Sequence, residues 1–153
     1  MTGQVQDEFI YNGEKYDVLG VKGREMYTLK EFGLIPSSFT TACYRGFIMR
    51  YKITSNHLFL DRLYITAENP PMINNIKPTI ISKENKESWI EDMFKYKYLN
   101  LQLKVPFSGE FLLGKDFDRS KDTHMGYPPI KAYRTRLKIK FKNSEIVKIE
   151  IKS

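Results

Sequence analysis

The closing stretch of the chain, residues 133–151, reads YRTRLKIKFKNSEIVKIEI. In its first half, apolar residues alternate with cations, which are Arg134, Arg136, Lys138, Lys140 and Lys142. A second alternating run, in which Lys148 is the first cation, follows the polar residues 143–145. Alternation is typical of a strand with one buried and one solvated face. The stretch therefore predicts a β-hairpin whose apolar side chains are hidden while its cations face water.

Loop length decides the register of this hairpin, because a shift by one residue moves every side chain to the other face. A two-residue loop at Asn143-Ser144 would place Ile139 opposite Lys148. A three-residue loop, residues 143–145, instead opposes apolar residues only, in the pairs Phe141–Val147, Ile139–Ile149 and Leu137–Ile151. We therefore predict the three-residue loop.

Two further hairpins are predicted nearer the N-terminus. Asn12-Gly13 suits a type I′ turn, which needs positive φ at both central residues. Residues 8–19 should then pair as Phe9–Tyr16 and Tyr11–Glu14. The second hairpin covers residues 41–66 with a four-residue loop at 54–57. Its predicted pairs are Ile53–Leu58, Tyr51–Leu60, Arg50–Asp61 and Ile48–Leu63.

One helix and one more strand complete the pattern. Ser88-Trp-Ile-Glu91 fits a capping box and predicts a helix of two or three turns. Residues 98–105 alternate, which predicts a half-buried strand. Together these signals predict a single mainly β domain over residues 1–153. The expected architecture is an antiparallel sandwich or a strongly curved partial barrel of six to eight strands with one short helix.

Composition narrows the classes of function. The 153 residues carry a net charge of +7, and residues 131–153 alone hold eight Lys or Arg against two Glu. One Cys and two His exclude a disulfide framework and a Cys-rich zinc site, and we expect no metal or cofactor. No apolar run approaches the roughly 18 residues of a transmembrane helix, and the first residues lack a signal-peptide pattern. We therefore expect a cytoplasmic protein without membrane contacts.

The cations of the final hairpin form the first candidate site. Outward side chains of one strand repeat about every 6.6–6.8 Å, so Arg134 to Lys142, together with Lys148, can follow a phosphate backbone or an acidic protein surface. Binders of single-stranded nucleic acid set aromatic rings beside such cations, whereas Tyr133 and Phe141 fall on the apolar face. Alternatively, the cations only deter edge-to-edge aggregation of the sheet.

A second candidate site is a pocket around Arg45. If residues 41–47 are extended, Cys43 and Arg45 share the core-facing side, where a guanidinium needs a partner. The candidate partners are Asp116, Asp118, the carbonyl groups of residues 114–130, or a bound anion. His124 and Tyr127 belong to that segment and can line the same pocket. It can act as an anion site or a Cys–His nucleophile pair; the simpler interpretation is an Arg that ties a loop to the sheet beside an inert buried thiol.

Two short segments carry a resemblance to a known family. Thr41-Ala-Cys-Tyr-Arg-Gly-Phe47 resembles the Thr-Ala-Cys-aromatic-Arg-Gly-aromatic signature of a family of small uncharacterised bacterial β-rich proteins. His124-Met-Gly-Tyr127 is similar to that family's second signature. The similarity extends from Phe9 to Ile151, and Tyr44 stands where the family often has Trp. The resemblance implies a small stand-alone bacterial domain and transfers no catalytic residue.

These observations favour a non-enzymatic protein that binds a macromolecular partner. Another protein is the favoured kind of partner. A toxin-neutralising immunity protein is one version, and an acidic partner suits the basic chain. Nucleic-acid binding through the final hairpin is one alternative. A small anion-binding or hydrolytic module built on Arg45 and His124 is another. The sequence leaves the oligomeric state open.

Overall fold

A computed structural model describes residues 4–38, 40–121 and 126–152. Its ten strands are β1 Glu8–Tyr11, β2 Glu14–Arg24, β3 Phe47–Thr54, β4 His57–Ile65, β5 Thr79–Ile80, β6 Tyr96–Tyr98, β7 Leu103–Lys104, β8 Ser108–Phe117, β9 Tyr133–Lys142 and β10 Glu145–Lys152. The helices of the described residues are short 3₁₀ turns, at Leu29–Phe32, Trp89–Met93, Arg119–Lys121 and Ile130–Ala132. The predicted mainly β fold is confirmed. It has more strands than expected because two-residue strands such as β5 and β7 join the sheet.

All ten strands belong to one mixed sheet. The spatial order is β10-β9-β8-β2-β1-β3-β4-β6-β5, and β7 pairs with β4. Neighbours run antiparallel, apart from β1 and β3, which are parallel. β10 also meets β4, where Glu145 lies opposite His57. Because the strand at one end of the order returns to a strand near the other end, the sheet is strongly curved.

The first hairpin forms as predicted. Asn12 and Gly13 have φ of 51° and 75°, which are the positive values that a type I′ turn requires. Phe9 lies opposite Tyr16, and Tyr11 lies opposite Glu14. Phe9 is completely buried, so the side predicted to be apolar faces the core.

The second hairpin departs from the prediction because of a bulge. Its turn has two residues, Ser55 and Asn56, both with positive φ. The predicted pairs nearest the turn are confirmed, namely Ile53–Leu58 and Tyr51–Leu60. A β-bulge between Arg50 and Tyr51 then shifts the ladder, so that Arg50 lies opposite Arg62. The predicted pairs beyond the bulge, Arg50–Asp61 and Ile48–Leu63, are therefore wrong.

The final hairpin combines a two-residue turn with most of the predicted register. Asn143 and Ser144 form the turn, so Glu145 lies opposite Lys142 and the predicted three-residue loop is wrong. A β-bulge between Ile146 and Lys148 then adds one residue to β10, which restores the apolar pairing. The pairs Ile139–Ile149 and Leu137–Ile151 are confirmed, whereas Phe141 lies opposite Ile146 rather than Val147.

The two strands of this hairpin differ in how far their apolar side chains are buried. On β9, Leu137, Ile139 and Phe141 are buried, as predicted. On β10, Ile149 is 39% exposed and Ile151 is 80% exposed, and the expectation that they are hidden is wrong. The reason is position, since beyond Glu145 the described ladders join β10 to β9 alone.

The helix and strand predicted at 88–105 are shorter than expected. The Ser88/Glu91 capping box forms, but it opens a five-residue 3₁₀ helix, Trp89–Met93. Positive φ at Asn100 (53°) and Gln102 (47°) interrupts the predicted strand. Only β6 and β7 remain of it, at its two ends.

Aromatic rings fill the inside of the curved sheet. The ring of Phe111 on β8 makes edge-to-face contacts with those of Phe9, Phe107, Tyr51 and Phe141, at centroid distances of 5.3, 5.2, 5.4 and 5.9 Å. Such pairs add about 0.5–1.5 kcal/mol each beyond the area that they bury. Phe141 anchors β9 in this core, which fixes the outward direction of the cations beside it.

Candidate functional site

The cations of β9 project from the outer side of the sheet, as the alternation predicted. Opposite residues of an antiparallel ladder share a face, so the ladders show which other cations join them. Lys148 lies opposite Lys140, and Lys152 lies opposite Arg136. On the other side Lys140 lies opposite Glu110, which lies opposite Lys22 of β2. We call the resulting surface the basic face, and its cations are Lys22, Arg134, Arg136, Lys138, Lys140, Lys142, Lys148 and Lys152.

Carboxylates also lie within the basic face, namely Glu110, Glu150 and Glu145, which lies opposite Lys142. Glu110 is 3.7 Å from the Lys138 Nζ, and Glu150 accepts from Lys148 at 2.8 Å and from Lys152 at 3.4 Å. The hydrogen bond with Lys148 lowers the pKa of Glu150 to about 2, and Glu150 raises the pKa of Lys148 in turn. Glu150 and Lys148 are therefore both ionised at neutral pH. Because the cations outnumber the carboxylates, the face keeps a positive excess.

An apolar groove of about 330 Å³ opens in the basic face between β2 and the turn at Ile130–Ala132. Its lining residues are Leu19, Gly20, Val21, Lys22, Glu110, Leu112, Ile130 and Lys138. Ile130 is 43% exposed, and Leu112 lies on the outer side of the sheet, opposite Lys138. The groove therefore offers aliphatic surface to a partner, with Lys22 and Lys138 at its border.

A β-bulge helps to build this groove. The β2–β8 register shifts between Val18 and Gly20, which leaves Leu19 as the extra residue of β2. Sequence reasoning missed the groove because its lining comes from three distant segments. The available signal is the run Leu19-Gly-Val21, whose central glycine is compatible with a bulge.

The predicted pocket around Arg45 forms only in part. Arg45 and Tyr127 line one cavity of about 230 Å³ together with Asp7. Cys43 is 1% exposed, and its thiol donates to the carbonyl oxygen of Phe47 at 3.4 Å. His124 lies outside the described residues. The structure thus brings Arg45 and Tyr127 together and places Cys43 among buried side chains.

The partner of Arg45 is Asp7, which the sequence interpretation did not consider. The two guanidinium Nη atoms donate to both Asp7 oxygens, at 2.8 and 3.2 Å. Burial lowers the pKa of Arg45, but Asp7 raises it more, so it lies above its ordinary value. Asp7 also accepts from the Met49 N–H at 2.9 Å. Arg45 therefore ties the segment before β3 to the segment before β1, and its charge is already balanced.

The other predicted partners of Arg45 are engaged elsewhere. Asp116 accepts from Thr135 at 2.7 Å. Asp118 accepts from Ser120 at 2.6 Å and lies 4.0 Å from Arg134. The expectation that either holds Arg45 is wrong, because residues 41–47 do not form the extended strand that would have aimed Arg45 at them. β3 begins only at Phe47.

Two kinds of signature, for a metal site and for a membrane span, are absent from residues 4–38, 40–121 and 126–152. Within these ranges, no three His, Cys, Asp or Glu side chains are grouped as metal ligands would be. No helix there is long and apolar enough to cross a lipid bilayer. Comparisons with protein-family models, with curated proteins and with solved structures find no match.

Proposed function

We propose that this chain is a non-enzymatic binding protein that uses its basic face to engage an acidic surface of another protein. The observation that carries the proposal is the apolar groove inside the basic face, where Ile130 stays exposed. Protein interfaces combine a desolvated apolar centre with a polar and charged border. Lys22 and Lys138 supply such a border here.

The charge of the face specifies the kind of partner. Complementary charge speeds association and suppresses wrong partners, so a basic border selects an acidic protein surface. An apolar side chain that projects from that surface would fill the groove. Neutralisation of an acidic toxin, as by an immunity protein, is one form of this function.

The groove favours a protein partner over nucleic acid. A single-stranded nucleic acid needs rings on which its bases stack, whereas the apolar side chains that line the groove are aliphatic. Glu110 and Glu150 also interrupt the row of cations and would repel a phosphate backbone. These features favour an acidic protein over a nucleic acid as the partner of the basic face.

The test is affinity capture from an extract of the source cells, followed by measurement of binding with the purified partner. Ile130→Ser is the groove variant, because Ile130 is exposed and lies outside the strands. We expect it to weaken binding about tenfold or more, as truncation of a central apolar contact does. Lys22→Gln/Lys140→Gln/Lys142→Gln should mainly slow association and reduce its salt dependence.

The matched control is Lys30→Gln/Lys77→Gln/Lys83→Gln, which removes the same charge at exposed positions outside the face. It should bind the partner as the unmodified protein does. The proposal fails if both face variants keep full affinity. It also fails if nuclease treatment of the extract abolishes capture, since the ligand is then a nucleic acid.

A further inference from the structure

β10 is an edge strand with an open side. From residue 147 onward, the ladders of the described residues connect it to β9 alone. An open edge presents backbone N–H and C=O groups that can pair with another strand. Ile149 and Ile151 are 39% and 80% exposed at this edge, so it also carries apolar surface that nothing in the described part of the chain covers.

We propose that two copies of this chain associate edge to edge through β10, antiparallel about a two-fold axis at Ile149. Each backbone then gains a partner on its open side. The two-fold axis makes the contact reciprocal, and it uses the open β10 edge of both copies, so assembly stops at the dimer. The residues that face each other are Ile149–Ile149, Lys148–Glu150 and Val147–Ile151.

Charge complementarity selects this register. Lys148 of one copy lies opposite Glu150 of the other, and symmetry repeats the pair. Directly opposed unlike charges support a ladder, whereas like charges oppose it. Both side chains reach this position from the same outer face, since Lys148 and Glu150 lie opposite Lys140 and Lys138 of β9.

The neighbouring registers are disfavoured on the same grounds. An axis at Glu150 would oppose Glu150 to itself and Lys148 to Lys152, and an axis at Lys148 would oppose that lysine to itself. An axis between two residues would set side chains of opposite faces against each other. An axis at Ile151 matches Lys152 with Glu150, but it shortens the overlap at the end of the strand.

The expected dimer is weak, because five paired residues on each strand bury less than the roughly 1,200 Å² of a standard interface. Sedimentation velocity over a concentration series is therefore the appropriate measurement. The unmodified protein should pass from monomer to dimer as its concentration rises into the range of tens to hundreds of micromolar, on the order expected for a small contact.

Charge variants test the register itself. Lys148→Glu and Glu150→Lys each create two like-charge pairs, and each should raise the dissociation constant of its own dimer about tenfold or more. An equimolar mixture of the two should form a heterodimer, because every opposed pair is again unlike. The double variant Lys148→Glu/Glu150→Lys should also dimerise.

Lys83→Glu and Glu68→Lys are the controls, since they make the same charge changes at exposed positions away from β10. They should dimerise as the unmodified protein does, and circular dichroism should show that all variants are folded. A protein that stays monomeric, single variants that dimerise normally, a mixture that does not associate, or controls that lose the dimer would each overturn the proposal. Because purified protein is used, the outcome is independent of the acidic partner.

Discussion

β9 and β10 lie side by side with the same alternation of apolar and charged residues, yet they differ in what covers them. Ile139 has no exposed surface, whereas Ile149, directly opposite, is 39% exposed. β9 lies between β8 and β10, while β10 forms the border of the sheet. The alternation decides to which face a side chain points. The place of the strand in the sheet decides whether that face is covered.

Lysine–glutamate pairs show the same contrast. Glu91 and Lys97 are completely buried, and the Lys97 Nζ lies 2.5 Å from the carboxylate. Glu91 also accepts from the backbone N–H groups of Glu87 and Ser88, at 2.8 and 2.9 Å. The Lys148–Glu150 pair at the border has the same chemistry in contact with solvent. Because of this difference in burial, we expect loss of the Glu91–Lys97 pair to lower stability more than loss of the Lys148–Glu150 pair.

Glu91→Gln should lower the free energy of unfolding by about 3 kcal/mol, the low end of the range for a broken buried ion pair, because Lys97 then keeps only the half-exposed carboxylate of Glu87, 3.6 Å from its Nζ. Glu150→Gln removes the same charge at the border and should have no measurable effect on stability. Urea denaturation of both variants measures the difference. Similar losses would mean that the border pair is as well shielded from water as the buried one.

The pH dependence of stability gives the same comparison a second readout. Burial acts to raise the pKa of Glu91, but the hydrogen bonds from Lys97 and from the two backbone N–H groups together hold it below its usual value of 4.5. The ionised carboxylate therefore stabilises the fold above the pKa of the unfolded chain, and this contribution is lost as the pH falls through the lower folded-state pKa. Denaturation below pH 4.5 should show a shallower pH dependence for Glu91→Gln than for the unmodified protein.

The sequence predicts the faces of strands and the positions of turns better than it predicts β-bulges. Asn12-Gly13 predicts its turn because few residue pairs tolerate positive φ twice. A bulge adds one residue without a compositional mark, so the shift after Arg50 was not predicted. At the final hairpin, the expected register was right beyond Lys148 and the expected loop was wrong, because a bulge at Val147 replaced the third loop residue.

The candidate sites show the same difference between local patterns, which could be predicted, and long-range pairings, which could not. The cations of β9 could be predicted because they lie on one strand and follow its period of two. Lys22 joins them only through the pairing of β2 with β8, and the groove needs Ile130 from a distant turn. Asp7 precedes β1 and meets Arg45 only because β1 runs parallel to β3. No local pattern contains these long-range pairings.

Alanine at the matched positions of β9 and β10 tests the comparison directly. Ile139→Ala should cost about 2–5 kcal/mol, as is usual when a fully buried isoleucine is truncated. Ile149→Ala should cost less than half of that, because the side chain already contacts water. Urea denaturation at concentrations too low for association is the measurement. Equal losses would show that the apolar side of β10 is covered in solution as well as that of β9.

The smallest expected effect on stability comes from a substitution at Ser144, at the corner where β10 meets β4. Ser144 is 1% exposed, and its hydroxyl donates to the carbonyl oxygen of Leu58 and accepts from the Leu58 N–H, both at 3.2 Å. The backbone of Ser144 separately accepts from Leu58 and donates to Phe107. Ser144→Ala should therefore lower the free energy of unfolding by only about 1 kcal/mol, the net value of a typical hydrogen bond.

Ser55→Ala is the matched control for this variant. Ser55 also has positive φ at a two-residue turn, but it is exposed. Both variants place alanine at positive φ, so that cost cancels when their losses of stability are subtracted. The difference that remains is the contribution of the buried Ser144 hydroxyl. If the two lose the same stability, the backbone bonds alone hold the corner, and the border of the sheet at β10 is set without the side chain. If Ser144→Ala loses more, the hydroxyl fixes the point at which β10 leaves β4, and with it the length of the open edge.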